Sequence, residues 1–184
     1  SDQLDAFELL LQLGASPDAA GRDGLSATDL AASMGDKKWL QLALANGADP
    51  NRFNDAPGFN AGTPLYFAIR KGRRRNVVTL LDNGADPDIA VDSSGATALT
   101  RASAFAQWSI VILLLERGAD VHAGPPGGSF IESLRQRDFS NHLVEFNTVR
   151  NLLGSEYDPS IVFKDTYLGR DSEGKPVYTP PDPQ

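Results

Sequence analysis

The chain has 184 residues, with 24 acidic against 17 basic side chains, a formal charge of −7 and an isoelectric point near 4.7. That balance argues against nucleic acid as a ligand, because phosphate binding needs a coherent cationic surface. The lack of cysteine excludes disulfides, thiolate metal sites and cysteine nucleophiles, and no apolar run approaches membrane-spanning length.

In chain order, the first helical run is Phe7 to Leu13, closed by Gly14-Ala15-Ser16-Pro17. The closing motif returns as Gly47-Ala48-Asp49-Pro50, Gly84-Ala85-Asp86-Pro87 and Gly118-Ala119-Asp120-Val121, at intervals of 33, 37 and 34 residues. Each copy follows an apolar stripe at helical spacing: Leu40 to Asn46, Val77 to Asn83, and the run from Trp108 to Arg117. Glycine accommodates the left-handed backbone that ends many helices, and proline, without an amide hydrogen, cannot continue one. A shorter helix precedes each of the last three outer helices. Its starts are Ser26-Ala27-Thr28-Asp29, Thr63-Pro64-Leu65-Tyr66 and Thr97-Ala98-Leu99-Thr100, where a hydroxyl caps the first turn and Pro64 fits the first helical position. Ala31, Ala32, Ala68 and Ala102 permit close helix approach. A helix, turn, helix, loop unit of this period buries its apolar face only against its neighbours, so an open stack is expected.

The long interval places about four extra residues in the loop Arg52 to Ala61, an Asn-, Asp-, Pro- and Gly-rich segment carrying Phe53 and Phe59. Those rings either form a contact finger or fold back on the stack. Residues 127–134 begin a divergent unit, and the longer, more polar helical region Leu143 to Leu153 reads as a C-terminal cap. The array is thus expected over residues 1–154, with a tail over 155–184. Tyr157, Ile161, Val162, Phe163, Tyr167 and Leu168 are expected to pack on the cap, and the proline-rich end to be extended and mobile. The alternative is a tail that straps a partner. Because Ser1 opens directly into an outer helix, the first repeat lacks its inner helix, and the mature chain is expected to begin earlier.

Gly-Thr-Pro-Leu at Gly62 to Leu65, the Val-Val-Xaa-Leu-Leu helix at Val77 to Leu81 and the Gly-Ala-Asp-Pro turns, recurring in register from Leu4 to His122, resemble the ankyrin repeats. The resemblance implies an all-α ankyrin solenoid of an incomplete first repeat, three clear repeats and a capping repeat. Where the family carries a histidine in the inner helix, this chain has Asp29, Tyr66 and Thr100. The hydrogen bonding of that histidine between repeats must therefore be made differently or lost, and stability per repeat is expected to be lower than in an idealised array.

His122 and His142 have no neighbours at metal-ligand spacing, Ser129 and Ser140 sit in no nucleophile elbow, and no Gly-rich loop follows a strand. No enzyme, metal or cofactor is expected. The resemblance instead implies a concave face made of fingers and inner helices: Asp23, Leu25, Ser33, Met34, Phe53, Phe59, Asn60, Tyr66, Arg70, Lys71, Ser94 and Phe105. Met34, Tyr66 and Phe105 are expected to line up across repeats as an interface core, although Tyr66 equally suits the core between repeats. Arg70-Lys71-Gly72-Arg73-Arg74-Arg75 is either a solvated turn or a docking patch for an acidic partner. Trp39 and Trp108 read as packing residues. The chain is expected to be a monomer that binds another protein. It is similar to small bacterial ankyrin proteins, some of them immunity proteins that block co-encoded type VI phospholipase toxins, which would place it in the periplasm. An adaptor or chaperone that holds a client without inhibiting it, or a module from a larger protein, are the alternatives.

Overall fold

A computed structural model of the chain describes residues 2–55, 61–134, 143–154, 166–170 and 176–179. Its helices are α1 (Asp2–Gln12), α2 (Ala27–Ser33), α3 (Lys38–Ala45), α4 (Pro64–Arg70), α5 (Arg74–Asp82), α6 (Ala98–Ala104), α7 (Trp108–Glu116), α8 (Phe130–Leu134) and α9 (Leu143–Leu153). They pair as α2 with α3, α4 with α5 and α6 with α7, and stack in two rows. The inner row is α2, α4, α6 and α8; the outer row is α1, α3, α5, α7 and α9. α1 is an outer helix packed on α3, and α8, of 5 residues, and α9, of 11 residues, continue the inner and outer rows.

The helix starts follow the cap chemistry expected of them. Ser26 and Asp29 form a reciprocal capping box, each side chain accepting from the other's backbone amide at 3.1 and 2.9 Å. Thr63 and Thr97 accept from the amides of Tyr66 and Thr100, both at 3.4 Å. Outer helices end at Gly14, Gly47, Gly84 and Gly118, whose φ values of 90°, 87°, 87° and 79° suit glycine. After each of the last three, the Asp carboxylate of the turn accepts from the amide two residues on, at 2.8, 2.9 and 2.8 Å.

A second set of bonds joins successive turns. The side chain after each proline reaches the next turn's Asp amide: Asp18 to Asp49, Asn51 to Asp86 and Asp88 to Asp120, at 2.7, 2.8 and 2.8 Å. One apolar core runs the length of the stack, from Ala31 through Leu65, Leu80, Leu99 and Leu114 to Leu153. Trp108 is buried in it, and Trp39 packs partly buried against it with its ring 5.4 Å from that of Phe7, so both tryptophans are packing residues.

The tail departs from an all-α description. β1 (Thr166–Arg170) and β2 (Pro176–Thr179) pair antiparallel, Thr166 opposite Thr179 and Arg170 opposite Pro176, with an irregularity between Tyr167 and Gly169. Tyr167 and Leu168 are adjacent in β1, so no alternation of apolar and polar residues marks this strand in the sequence. Tyr157, Ile161, Val162 and Phe163, expected to pack on the cap, lie outside the described residues, as does the proline-rich end.

Candidate partner-binding surface

Apolar side chains are exposed along the inner row and its loops, and also on the two end helices of the outer row, at Leu9, Leu10 and Leu13 by α1 and at Val144 and Leu152 on α9. Leu30 on α2 is 48% exposed, Met34 at its C-terminal end 40%, Phe105 at the end of α6 38% and Phe53 in the long loop 38%. Met34, Lys71 and Phe105 occupy the same place in their repeats, so the line across the surface is Met34, Lys71, Phe105 and not the expected Met34, Tyr66, Phe105. Tyr66 is not on it. Its ring is 6% exposed and packs edge-on to Phe67 at 5.5 Å and tilted against Phe105 at 6.4 Å. It fills the inter-repeat core because it takes the position of the missing histidine, which points between repeats.

The other two replacements of that histidine restore hydrogen bonds by new routes. Thr100 Oγ1 donates to the carbonyl of Gly128 in the next repeat at 3.3 Å. Asp29, buried, accepts from Asn54 Nδ2 of the next loop at 3.0 Å and pairs with Arg52 at 3.7 Å. These bonds fix the base of the long finger. Asn54 and Gly62 then exchange both backbone bonds at 3.0 Å, closing the base of the finger. Gly62, with φ 155°, lies where a Cβ would come 2.6 Å from the Tyr66 ring and 2.8 Å from the Val91 carbonyl. The finger base is therefore wedged between two repeats. Phe53 stands beside it in solvent, and Phe59 and Asn60, named with it from the sequence, lie outside the described residues.

The flanking loops are internally braced. Asp23 accepts from the Leu25 amide at 3.3 Å, and Leu25 packs partly buried on the core. Ser94 donates to Asp92 and accepts from Arg101 Nη2, both at 2.7 Å, while Arg101 Nε is bonded to the same carboxylate. Burial pushes the Asp92 carboxyl up, but the bonds from Arg101 and Ser94 and the Arg101 charge outweigh it, leaving its pKa below the ordinary value. Asp88 is shifted the opposite way. Burial raises it, the Asp120 amide lowers it, and the Asp86 and Asp120 charges raise it further.

The basic turn is divided by the fold. Lys71 is exposed and Arg70 half-buried at the end of the inner helix α4. Arg73 Nε donates back to the Ser33 carbonyl at 3.0 Å, and Arg74 Nε forward to the Ser109 carbonyl at 3.4 Å. Arg74 and Arg75 then line the outer row with Lys37. Sequence reasoning missed several residues here. Leu30 is exposed on a face where Phe67 is buried. Asn76 is buried and donates to the carbonyls of Ala31, Ala32 and Met34 at 3.1, 2.8 and 2.9 Å, capping the previous inner helix. The available signal was a polar residue where the equivalent positions hold Trp39 and Ile110.

Among the described residues, no group of three His, Asp or Glu is placed to hold a metal ion, and no helix is long and apolar enough to cross a membrane. A family model describing ankyrin repeats in three copies matches residues 29–124. The chain belongs to the ankyrin-repeat family. Ankyrin repeats are protein-interaction modules, generally without catalysis, so this array is a protein-binding scaffold. Protein PhlB of Serratia liquefaciens is 43% identical over 99 residues, 54% of this chain and 42% of that protein. The B-cell lymphoma 3 protein homolog of Mus musculus is 33% identical over 125 residues, 68% of this chain and 28% of that protein. The ankyrin chain thus spans less than half the length of both relatives.

Proposed function

We propose that this ankyrin array is an immunity protein that binds a co-encoded toxin, of the secreted phospholipase class, and blocks it sterically in the periplasm. The observation that carries the reading is the row of exposed apolar side chains Leu30, Met34, Phe53 and Phe105 along the inner-helix and finger side. Exposed apolar groups on a rigid surface gain most from burial under a partner, and Arg70 and Lys71 beside them supply a charged rim. The likeness to PhlB, a bacterial protein, supports a bacterial partner. Blocking needs no chemistry from the ankyrin chain: a rigid stack laid over an active-site entrance excludes the substrate.

The test is co-purification with the product of the neighbouring toxin gene, followed by an assay of that product's lipase activity. Wild type is expected to form a stoichiometric complex and abolish activity. The Leu30→Asp/Met34→Asp variant is expected to lose both, with its melting temperature preserved because both side chains are exposed. Failure of wild type to bind removes the immunity reading. The second reading is an adaptor that holds a client without inhibiting it. A complex that forms with full enzymatic activity would select the adaptor.

A further inference from the structure

The outer row carries a surface that the inner-helix reading leaves unused. Between α3 and α5 runs an open groove of about 440 Å³, lined by Lys37 and Gln41 on one side and by Arg74, Arg75, Val78, Thr79, Asp82 and Asn83 on the other. We propose that this groove docks an acidic peptide segment of a partner protein, with Lys37, Arg74 and Arg75 pairing its carboxylates.

Charge complementarity carries the proposal. The lining holds three cations and one acid, and Asp82 is already engaged, its Oδ1 accepting from Arg117 Nη1 of the next outer helix at 2.8 Å. No ion pair joins Lys37, Lys38, Lys71, Arg74 or Arg75 to an acid among the described residues. Like charges so close repel one another, and in a chain of net charge −7 there are acids enough to have neutralised them locally. The bond from Arg74 Nε to the Ser109 carbonyl also holds that guanidinium in place, so less freedom is lost when a carboxylate arrives.

The rest of the lining selects the kind of anion. A nucleic acid or an anionic bilayer is a wide, dense field of charge and would meet the acidic remainder of the molecule. A peptide meets only the groove. Val78 offers an apolar contact and Gln41 a side-chain amide suited to a peptide backbone, while Thr79 Oγ1 and Asn83 Nδ2 donate to the Arg75 and Thr79 carbonyls of their own helix. The groove lies on the outer row, apart from the inner helices and fingers, so this proposal does not depend on the immunity reading.

Fluorescence anisotropy with a short labelled peptide alternating Glu and Leu tests it, with the Lys-and-Leu peptide and phosphatidylglycerol vesicles as the competing probes. The acidic peptide is expected to bind, more weakly as salt rises, and Lys37→Glu/Arg75→Glu to weaken binding about tenfold or more. Lys37→Ala/Arg75→Ala is the milder variant should the reversal disturb folding, read by circular dichroism. Asp82→Asn, which removes the one acid from the lining, is expected to tighten binding. Equal affinity of wild type and the double variants, unchanged or weaker binding by Asp82→Asn, or binding of vesicles without binding of the peptide would each overturn the proposal.

Discussion

The junctions between α2 and α4 and between α4 and α6 join equivalent helices of successive repeats, yet they are held by different forces. The first is polar: Asn76 caps the end of α2, and Asp29 gathers Ser26, Asn54 and Arg52. The second is apolar, with Tyr66 wedged between Phe67 and Phe105 above the buried Leu65, Ile69 and Leu99. One backbone template therefore accepts two kinds of contact. Apolar packing tolerates small shifts, whereas the directional bonds at α2 fix where the long finger leaves the stack.

Truncating the apolar junction should cost most. Leu99→Ala, at a fully buried site, is expected to lower stability by about 2–5 kcal/mol, read by urea unfolding. A loss well under 1 kcal/mol would show that the stack closes over the gap and that the apolar junction is not the stronger. Asn76→Ala leaves buried carbonyls without their donor, at a cost of about 1–3 kcal/mol. Hydrogen exchange should then quicken in α2 before α6, and uniform quickening would mean the two junctions are not separable. Asn54→Ala takes a donor from the buried Asp29 carboxylate, at a cost of about 1–3 kcal/mol, and should loosen the Asn54–Gly62 bridge, a local opening that amide exchange would detect. Gly84→Val probes a turn outside both junctions. Nothing lies within 4 Å of its added Cβ, so the expected loss is only the strain of a left-handed residue, roughly 1–2 kcal/mol.

The smallest effects concern charge. The folded pKa of Asp92 lies below its ordinary value, so its ion pair contributes stability at neutral pH that is lost as pH falls from the ordinary value through the lower folded one. Asp88 is raised, so its contribution has the opposite sign: it favours the folded state only in acid and opposes it as pH rises through the folded pKa. Thermal melts at neutral pH should accordingly show Asp92→Asn less stable and Asp88→Asn slightly more stable than wild type. Two shifts of the same sign would show that the residue-level account of this loop is wrong.

The helices and turns were legible in the sequence because each leaves a local mark: a hydroxyl at Ser26, Thr63 and Thr97, a glycine at Gly47, Gly84 and Gly118, and an apolar stripe between. What was not legible depends on partners far apart in sequence. Asp29 reads as an ordinary first-turn acid until Asn54 and Arg52 are brought over it, and Arg74 reads as part of a charge run until Ser109 fixes its direction. Tyr66 suits the surface line and the core between repeats equally well as a residue type, and only its packing against Phe67 and Phe105 decides for the core. The hairpin of the tail was hidden by its short strands and nearby prolines.

The ladder between turns has a consequence for how this surface can change over generations. The amides of Asp49, Asp86 and Asp120 are already committed to the preceding turn, so they are closed to an incoming strand. Recognition is left to side chains standing on a frame that does not take part in it. On the proposed binding surface, substitutions at Leu30, Met34, Phe53 or Phe105 would alter the partner while the frame is inherited intact.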